Sequence, residues 1–165
     1  MLSPTDLEGQ SICPPWTVRD LANHVVGGAV RYRMLLEGAA AEALAPTRTI
    51  DYVADDPLSH AIPVFDALDA AIAAANPAET AHHPAGDRTA EELQCMRVLE
   101  AALHAWDLAR SVGKPCELDD ELCRFLLARL QLVEELRSFG CYAPATTADG
   151  SGLEQLLAAT GRWQF

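Results

Sequence analysis

The segment between Thr89 and Gly113 constrains the fold most. Thr89 and Glu92 form a capping box that starts a helix, and Gly113 followed by Pro115 stops it. Projected at about 100° per residue, Leu93, Met96, Glu100, Leu103, His104 and Asp107 share one face. An apolar helix face must be buried against other elements. The rest of the chain therefore has to supply the partners.

It does so in helices. Thr17 with Asp20 predicts a helix start, followed on one face by Leu21, His24, Val25, Gly28, Tyr32 and Leu35 to about Gly38. Asp56-Pro57 starts a second helix, with Ile62, Phe65, Leu68 and Ile72 as its stripe and Pro63 in its first turns, ending before Asn76-Pro77. A further helix is predicted from about Asp119 to Arg137, with Leu122, Phe125, Leu126, Val133 and Leu136 inward. Ser151 boxed with Glu154 opens a short last helix, to Thr160. Ala39 to Asp55 reads as a connection, Ala81 to Arg88 as a loop, and Phe139 to Gly150 as irregular. No strand-like alternation is sustained. The pattern predicts an all-α protein of four-helix-bundle type, a single domain over 1–165.

Composition narrows the function. The 165 residues are 50% hydrophobic, enough to build a core. Against 12 Lys and Arg stand 24 Asp and Glu, a net charge of −12 that argues against nucleic acid and anionic lipid as partners. No run approaches the roughly 18 apolar residues of a membrane helix. No leader pattern is visible, so the expected compartment is the cytoplasm. Five cysteines without a Cys-x-x-Cys pair predict free thiols.

Polar groups on apolar faces point to chemistry. Glu100 and His104 are four residues apart, on one side of the helix, and His24 lies on the apolar face of another. Two imidazoles and a carboxylate can hold a divalent metal with one coordination position open, a pattern that suits zinc or non-haem iron. The same residues also fit core histidines satisfied by hydrogen bonds. Asp107, three residues beyond His104, is the candidate catalytic residue, orienting His104 or moving a proton; a structural hydrogen bond is the alternative. Trp16 and Trp106 read as packing anchors, Arg19 and Arg110 as surface or helix-end charges, and His60, His82 and His83 as solvated.

Two motifs carry a resemblance. Cys13-Pro14-Pro15-Trp16-Thr17-Val18-Arg19-Asp20-Leu21 with His24 resembles the pattern Cys-Pro-Gly-Trp-Thr-Val-Arg-Asp-Leu-x-x-His. Glu100 with His104-Ala105-Trp106-Asp107-Leu108-Ala109-Arg110 resembles a second signature, and Leu153 to Arg162 a C-terminal segment. Together they resemble the DinB/YfiT-like metalloenzyme superfamily, in its branch of mycothiol-dependent maleylpyruvate isomerase N-terminal domains. The resemblance implies a four-helix bundle that binds a divalent metal through His24, Glu100 and His104, usually zinc, with iron, nickel or manganese as alternatives. It implies mycothiol or a similar small thiol as co-substrate, and a small electrophile as substrate. Readings from other classes are a natural-product cyclase or hydrolase that uses no thiol, and a non-catalytic metal-binding interaction protein. Two departures stand out: Pro15 replaces a glycine, and only twelve residues precede Cys13 where the family has a long helix. An apolar groove left by a missing helix predicts a homodimer.

Overall fold

Side-chain caps mark the helix starts. In the computed structural model, which describes residues 3–54 and 56–162, Ser3 and Asp6 cap a one-turn helix α1 (Pro4–Leu7). The Thr17 hydroxyl accepts from the Asp20 N–H while the Asp20 carboxylate takes the Thr17 N–H, and α2 (Val18–Leu36) runs from there. Asp56 caps α3 (Pro57–Ala74) through the Ser59 N–H, with Pro57 in the first turn. Reciprocal boxes at Thr89–Glu92 and Ser151–Glu154 open α4 (Ala90–Ser111) and α7 (Gly152–Ala159). Between them lie α5 (Asp120–Leu127) and α6 (Leu130–Arg137). The all-α expectation holds.

The chain divides into two compact units, Met1–Lys114 and Pro115–Phe165. In the first, α2 packs against both α3 and α4. Leu21, Ala29 and Leu35 of α2, Leu68 of α3, and Leu93, Met96 and Leu103 of α4 are buried. Removing such apolar surface from water stabilises the fold by roughly 25 cal/mol per Å². A second cluster joins Leu7, Val18, Ala22 and Val53 to Leu108 and Val112, fixing the start of α2 to the end of α4. The segment between α1 and α2 turns tightly: the Ser11 N–H and the Gln10 side chain both donate to the Trp16 carbonyl, and the Pro14–Pro15 bond is cis. The Ile12 N–H donates to the Ser111 hydroxyl at 3.0 Å, anchoring this turn to the last residues of α4.

Three segments differ from the sequence reading. The connection after α2 contains a 3-10 helix, η1 (Ala41–Thr49), in which Leu44 and Thr47 turn inward; Asp55 lies outside the described residues. The loop before α4 is the tip of a small hairpin, β1 (Thr80–Ala81) with β2 (Arg88–Thr89), in register Thr80 opposite Thr89. Ile62 of α3 is 50% exposed, because the buried side of that helix is centred on Leu68 instead.

In the second unit α5 packs on α7, and a Cβ at Gly152 would sit 3.0 Å from that of Cys123. The single helix predicted from Asp119 to Arg137 is broken at Ala128–Arg129. The cause is Arg129: its guanidinium stacks 3.7 Å over the Phe125 ring and donates to the Phe125 carbonyl at 3.0 Å. That carbonyl would otherwise take the Arg129 N–H, which bonds to Leu126 instead.

Candidate metal centre

His24 and His104 meet where α2 crosses α4. Their ring centroids are 5.0 Å apart at 82°, edge to face. The Trp16 indole lies 4.8 Å from His24 on another side, so the tight turn before α2 supplies one wall. Burial holds the His24 imidazole at a pKa of about 3, helped by the positive potential of His104, Arg31, Arg97 and Arg48. His24 is therefore neutral at ordinary pH. A neutral imidazole has a lone pair to give.

His104 is held by one bond. Its Nδ1 lies 2.9 Å from Asp107 Oδ2, and Asp107 is 1% exposed. A carboxylate can only accept, so Nδ1 carries the proton and Nε2 keeps its lone pair in the neutral ring. The Asp107 carbonyl in turn accepts from the Ser111 hydroxyl at 2.7 Å. Ser111 thus links the turn, through Ile12, to the residue that orients His104.

Glu100 sits one turn before His104. Its carboxyl group is raised above the ordinary carboxylate range by burial, an effect opposed by Arg97, His104 and Arg31 and by a hydrogen bond from Tyr32. Arg97 Nη1 lies 3.7 Å from Glu100 Oε2. Among the described residues no three His, Cys, Asp or Glu side chains are gathered so as to hold a metal ion. The expected residues thus come together in part. The two imidazoles adjoin and Asp107 is bonded to one of them, while Glu100 lies 3.7 Å from Arg97. The donor chemistry fits a divalent metal: a neutral His24, a tautomer-locked His104 and a neighbouring carboxylate. The trio is not preassembled.

Sequence reasoning missed the arginines beside the site. Arg97 donates to the Val25 carbonyl at 3.1 Å and stacks near Tyr32 and Phe65, and Arg31 reaches the His24 carbonyl at 3.4 Å. The signal was available in their spacing. Arg31 follows His24 by seven residues and Arg97 precedes Glu100 by three, so both lie on the faces that carry the candidate ligands. His83, expected as solvated, is half-buried with its ring 6.2 Å from Tyr32. Arg19 pairs with Glu8 at 3.2 Å, His82 with Asp87 at 3.0 Å, and His60 stays exposed.

Residues 1–109 match the family model described as the mycothiol maleylpyruvate isomerase N-terminal domain. The chain belongs to that family. The matched stretch covers α1 to nearly the end of α4, and with it all four candidate residues. Two similar proteins come from Mycobacterium tuberculosis, "Uncharacterized protein MT0763" of strain CDC 1551 / Oshkosh and "Uncharacterized protein Rv0738" of strain ATCC 25618 / H37Rv. Each is 30% identical over 136 residues, which is 81% of this chain and 71% of the relative. No solved structure matches. No helix among the described residues of this member of the isomerase N-terminal domain family is long and apolar enough to cross a membrane.

Proposed function

We propose that this chain is a divalent-metal-dependent enzyme that uses a low-molecular-weight thiol, of the mycothiol kind, on a small electrophilic substrate. The observation that carries the reading is the imidazole pair, 5.0 Å apart, with Nδ1 of one ring bonded to a buried carboxylate. Membership of a family named for a mycothiol enzyme supports the thiol. His24, His104 and Glu100 are the proposed ligands, and zinc is the first ion to test. When bound, the ion supplies a Lewis acid that favours thiolate over thiol.

The chain's own residues supply the rest. Asp107 keeps the proton of His104 on Nδ1, so that Nε2 would be the atom offered to a metal. It acts through His104 and is a positioning residue. Burial keeps His24 unprotonated, and Trp16 shields its ring from water. Arg97 lies 3.7 Å from the Glu100 carboxylate, which would be the third ligand. The thiol gives up its proton to solvent and its sulfur forms the new bond to carbon. In transfer a leaving group departs with its bonding pair; in isomerisation the same sulfur is later expelled and the double bond re-forms.

Metal analysis of protein purified without chelators tests the first half. One equivalent of metal is expected, with loss of that metal in His104→Ala. Thiol-dependent consumption of a generic electrophile by the loaded protein tests the second half, with the rate lost in Glu100→Gln. A reaction that proceeds without thiol replaces this reading with a thiol-free cyclase or hydrolase. Metal content undiminished in His104→Ala refutes the ligand assignment.

A further inference from the structure

Two guanidinium groups are buried beside the imidazole pair, and the proposed chemistry does not need both. Arg31 of α2 is 9% exposed and Arg97 of α4 is 5% exposed. They converge on one spot of the α2 backbone. A Cβ placed on Gly28 would lie 3.1 Å from Arg97 Nη1 and 3.9 Å from Arg31 Nη2. A Cβ on Gly27 would lie 2.9 Å from Arg31 Nη1 and 3.0 Å from the Tyr52 ring. Two glycines inside a helix cost about 1 kcal/mol each against alanine. Here the missing β-carbons make the room that the two charges occupy.

The two arginines are not equally satisfied. Arg97 has the Val25 carbonyl at 3.1 Å, the Glu100 carboxylate at 3.7 Å, and the Tyr32 and Phe65 rings within 6 Å of its guanidinium carbon. Arg31 makes one long hydrogen bond, to the His24 carbonyl at 3.4 Å, and pairs with no carboxylate among the described residues. Its other N–H groups have no hydrogen-bond acceptor among the described residues. Burial works against its charge, Arg48 and Arg97 add positive potential, and Glu100 and Tyr52 oppose them. A buried cation without a counter-charge is costly. None of the acidic side chains among the described residues forms an ion pair with Arg31, and Glu100 acts on it only at longer range.

We infer that Arg31 and Arg97, over the Gly27–Gly28 notch, form a binding site for a small oxyanion, which the free edge of Arg31 grips in bidentate fashion. A guanidinium fork matches the spacing of two oxygens on one centre, whether of a carboxylate or a phosphoryl group. The site adjoins the His24 backbone through the carbonyl that Arg31 already holds. The inference needs neither a metal nor a thiol.

Protein as purified is titrated with sodium formate and, separately, with sodium phosphate, against sodium chloride at matched ionic strength. The readouts are the guanidinium NMR signals of the arginines and the thermal midpoint. A saturable shift of the Arg31 signal with a rising midpoint is expected for an oxyanion and not for chloride. Response to formate alone assigns a carboxylate ligand; response to phosphate alone assigns a phosphoryl ligand. Arg31→Gln is expected to raise the half-saturating concentration about tenfold or more, a loss of about 1.4 kcal/mol. Arg31→Lys, which keeps the charge and loses the fork, falls between. If Arg31→Gln does not fold, the wild-type Arg31 signal decides. Lack of a saturable response in the wild-type protein, or an unchanged response in a folded Arg31→Gln, overturns the site and assigns Arg31 to holding the α2 backbone.

Discussion

A carboxylate that solvent barely reaches, Asp107, holds His104 through a 2.9 Å bond to Nδ1, made within one turn of the same helix. The bond chooses which nitrogen of the ring is available. It also ties the choice to the turn at Ile12, because Ser111 bonds both the Asp107 carbonyl and the Ile12 N–H.

Asp107→Ala should therefore act on metal affinity ahead of metal stoichiometry. The loss of a carboxylate that orients a ligating histidine typically costs about 10- to 100-fold in affinity. Competition against a fluorescent chelator measures it. An affinity equal to that of the wild-type protein, in a folded variant, would show that His104 needs no such support.

Gly27→Ala should lower stability, although alanine is ordinarily the better helix residue by about 1 kcal/mol. The new methyl would meet Arg31 Nη1 at 2.9 Å and the Tyr52 ring at 3.0 Å. Overpacking of this kind typically costs about 1–3 kcal/mol, enough to reverse the helix gain. Urea unfolding reads the sign directly, and a stabilised variant would mean that both side chains swing away freely.

Thr89→Ala should cost about 1 kcal/mol by removing the cap of α4. The Glu92 carboxylate takes the Thr89 N–H at 2.9 Å while the Thr89 hydroxyl takes the Glu92 N–H at 3.1 Å. The two residues act as one unit, so Glu92→Ala added to Thr89→Ala should cost less than the sum of the singles. Denaturant midpoints of the three variants check this.

In metal-free protein, His83 and His24 should each lower stability as pH drops below 6.5, while the raised carboxyl group of Glu100 works in the opposite direction. His83 is lowered from 6.5 by burial and by the nearby Arg88 and Arg48, and its Nδ1 accepts from the Ala85 N–H at 3.1 Å, a bond that protonation breaks. His24 is lowered further, to about 3. For both, the unfolded chain binds protons first as pH falls through 6.5, which favours unfolding down to the folded-state pKa. His83→Gln should flatten the slope over the upper part of that window. An NMR titration placing the His83 midpoint at or above 6.5 would contradict the assignment.

The helix starts at Thr17, Asp56, Thr89 and Ser151 were legible because a cap is a local device, written in residues three apart. The face of α4 was legible for the same reason, and it put His104 and Asp107 together correctly. The break at Arg129 was not: the sequence runs on at helical spacing, and only the fold-back of one side chain onto Phe125 interrupts it. Arg31 and Arg97 escaped because arginine is normally an outward residue, and burial of its charge depends on the Gly27–Gly28 notch, which for Arg97 lies in a different stretch of chain. Glu100 shows the remaining limit. Helical phase set it beside His104, but phase does not say which neighbours its carboxyl group engages.

The Gly27–Gly28 notch also makes a statement about descent. An alanine at position 28 would press on Arg97, and one at position 27 on Arg31, so a change at either glycine asks a guanidinium end to shift. Each is tied to a long cation, one of them about seventy residues away in the chain. Lineages that keep both arginines should keep both glycines. Those that trade an arginine for a short neutral side chain should be free to fill the helix with alanine, and to lose the anion along with it.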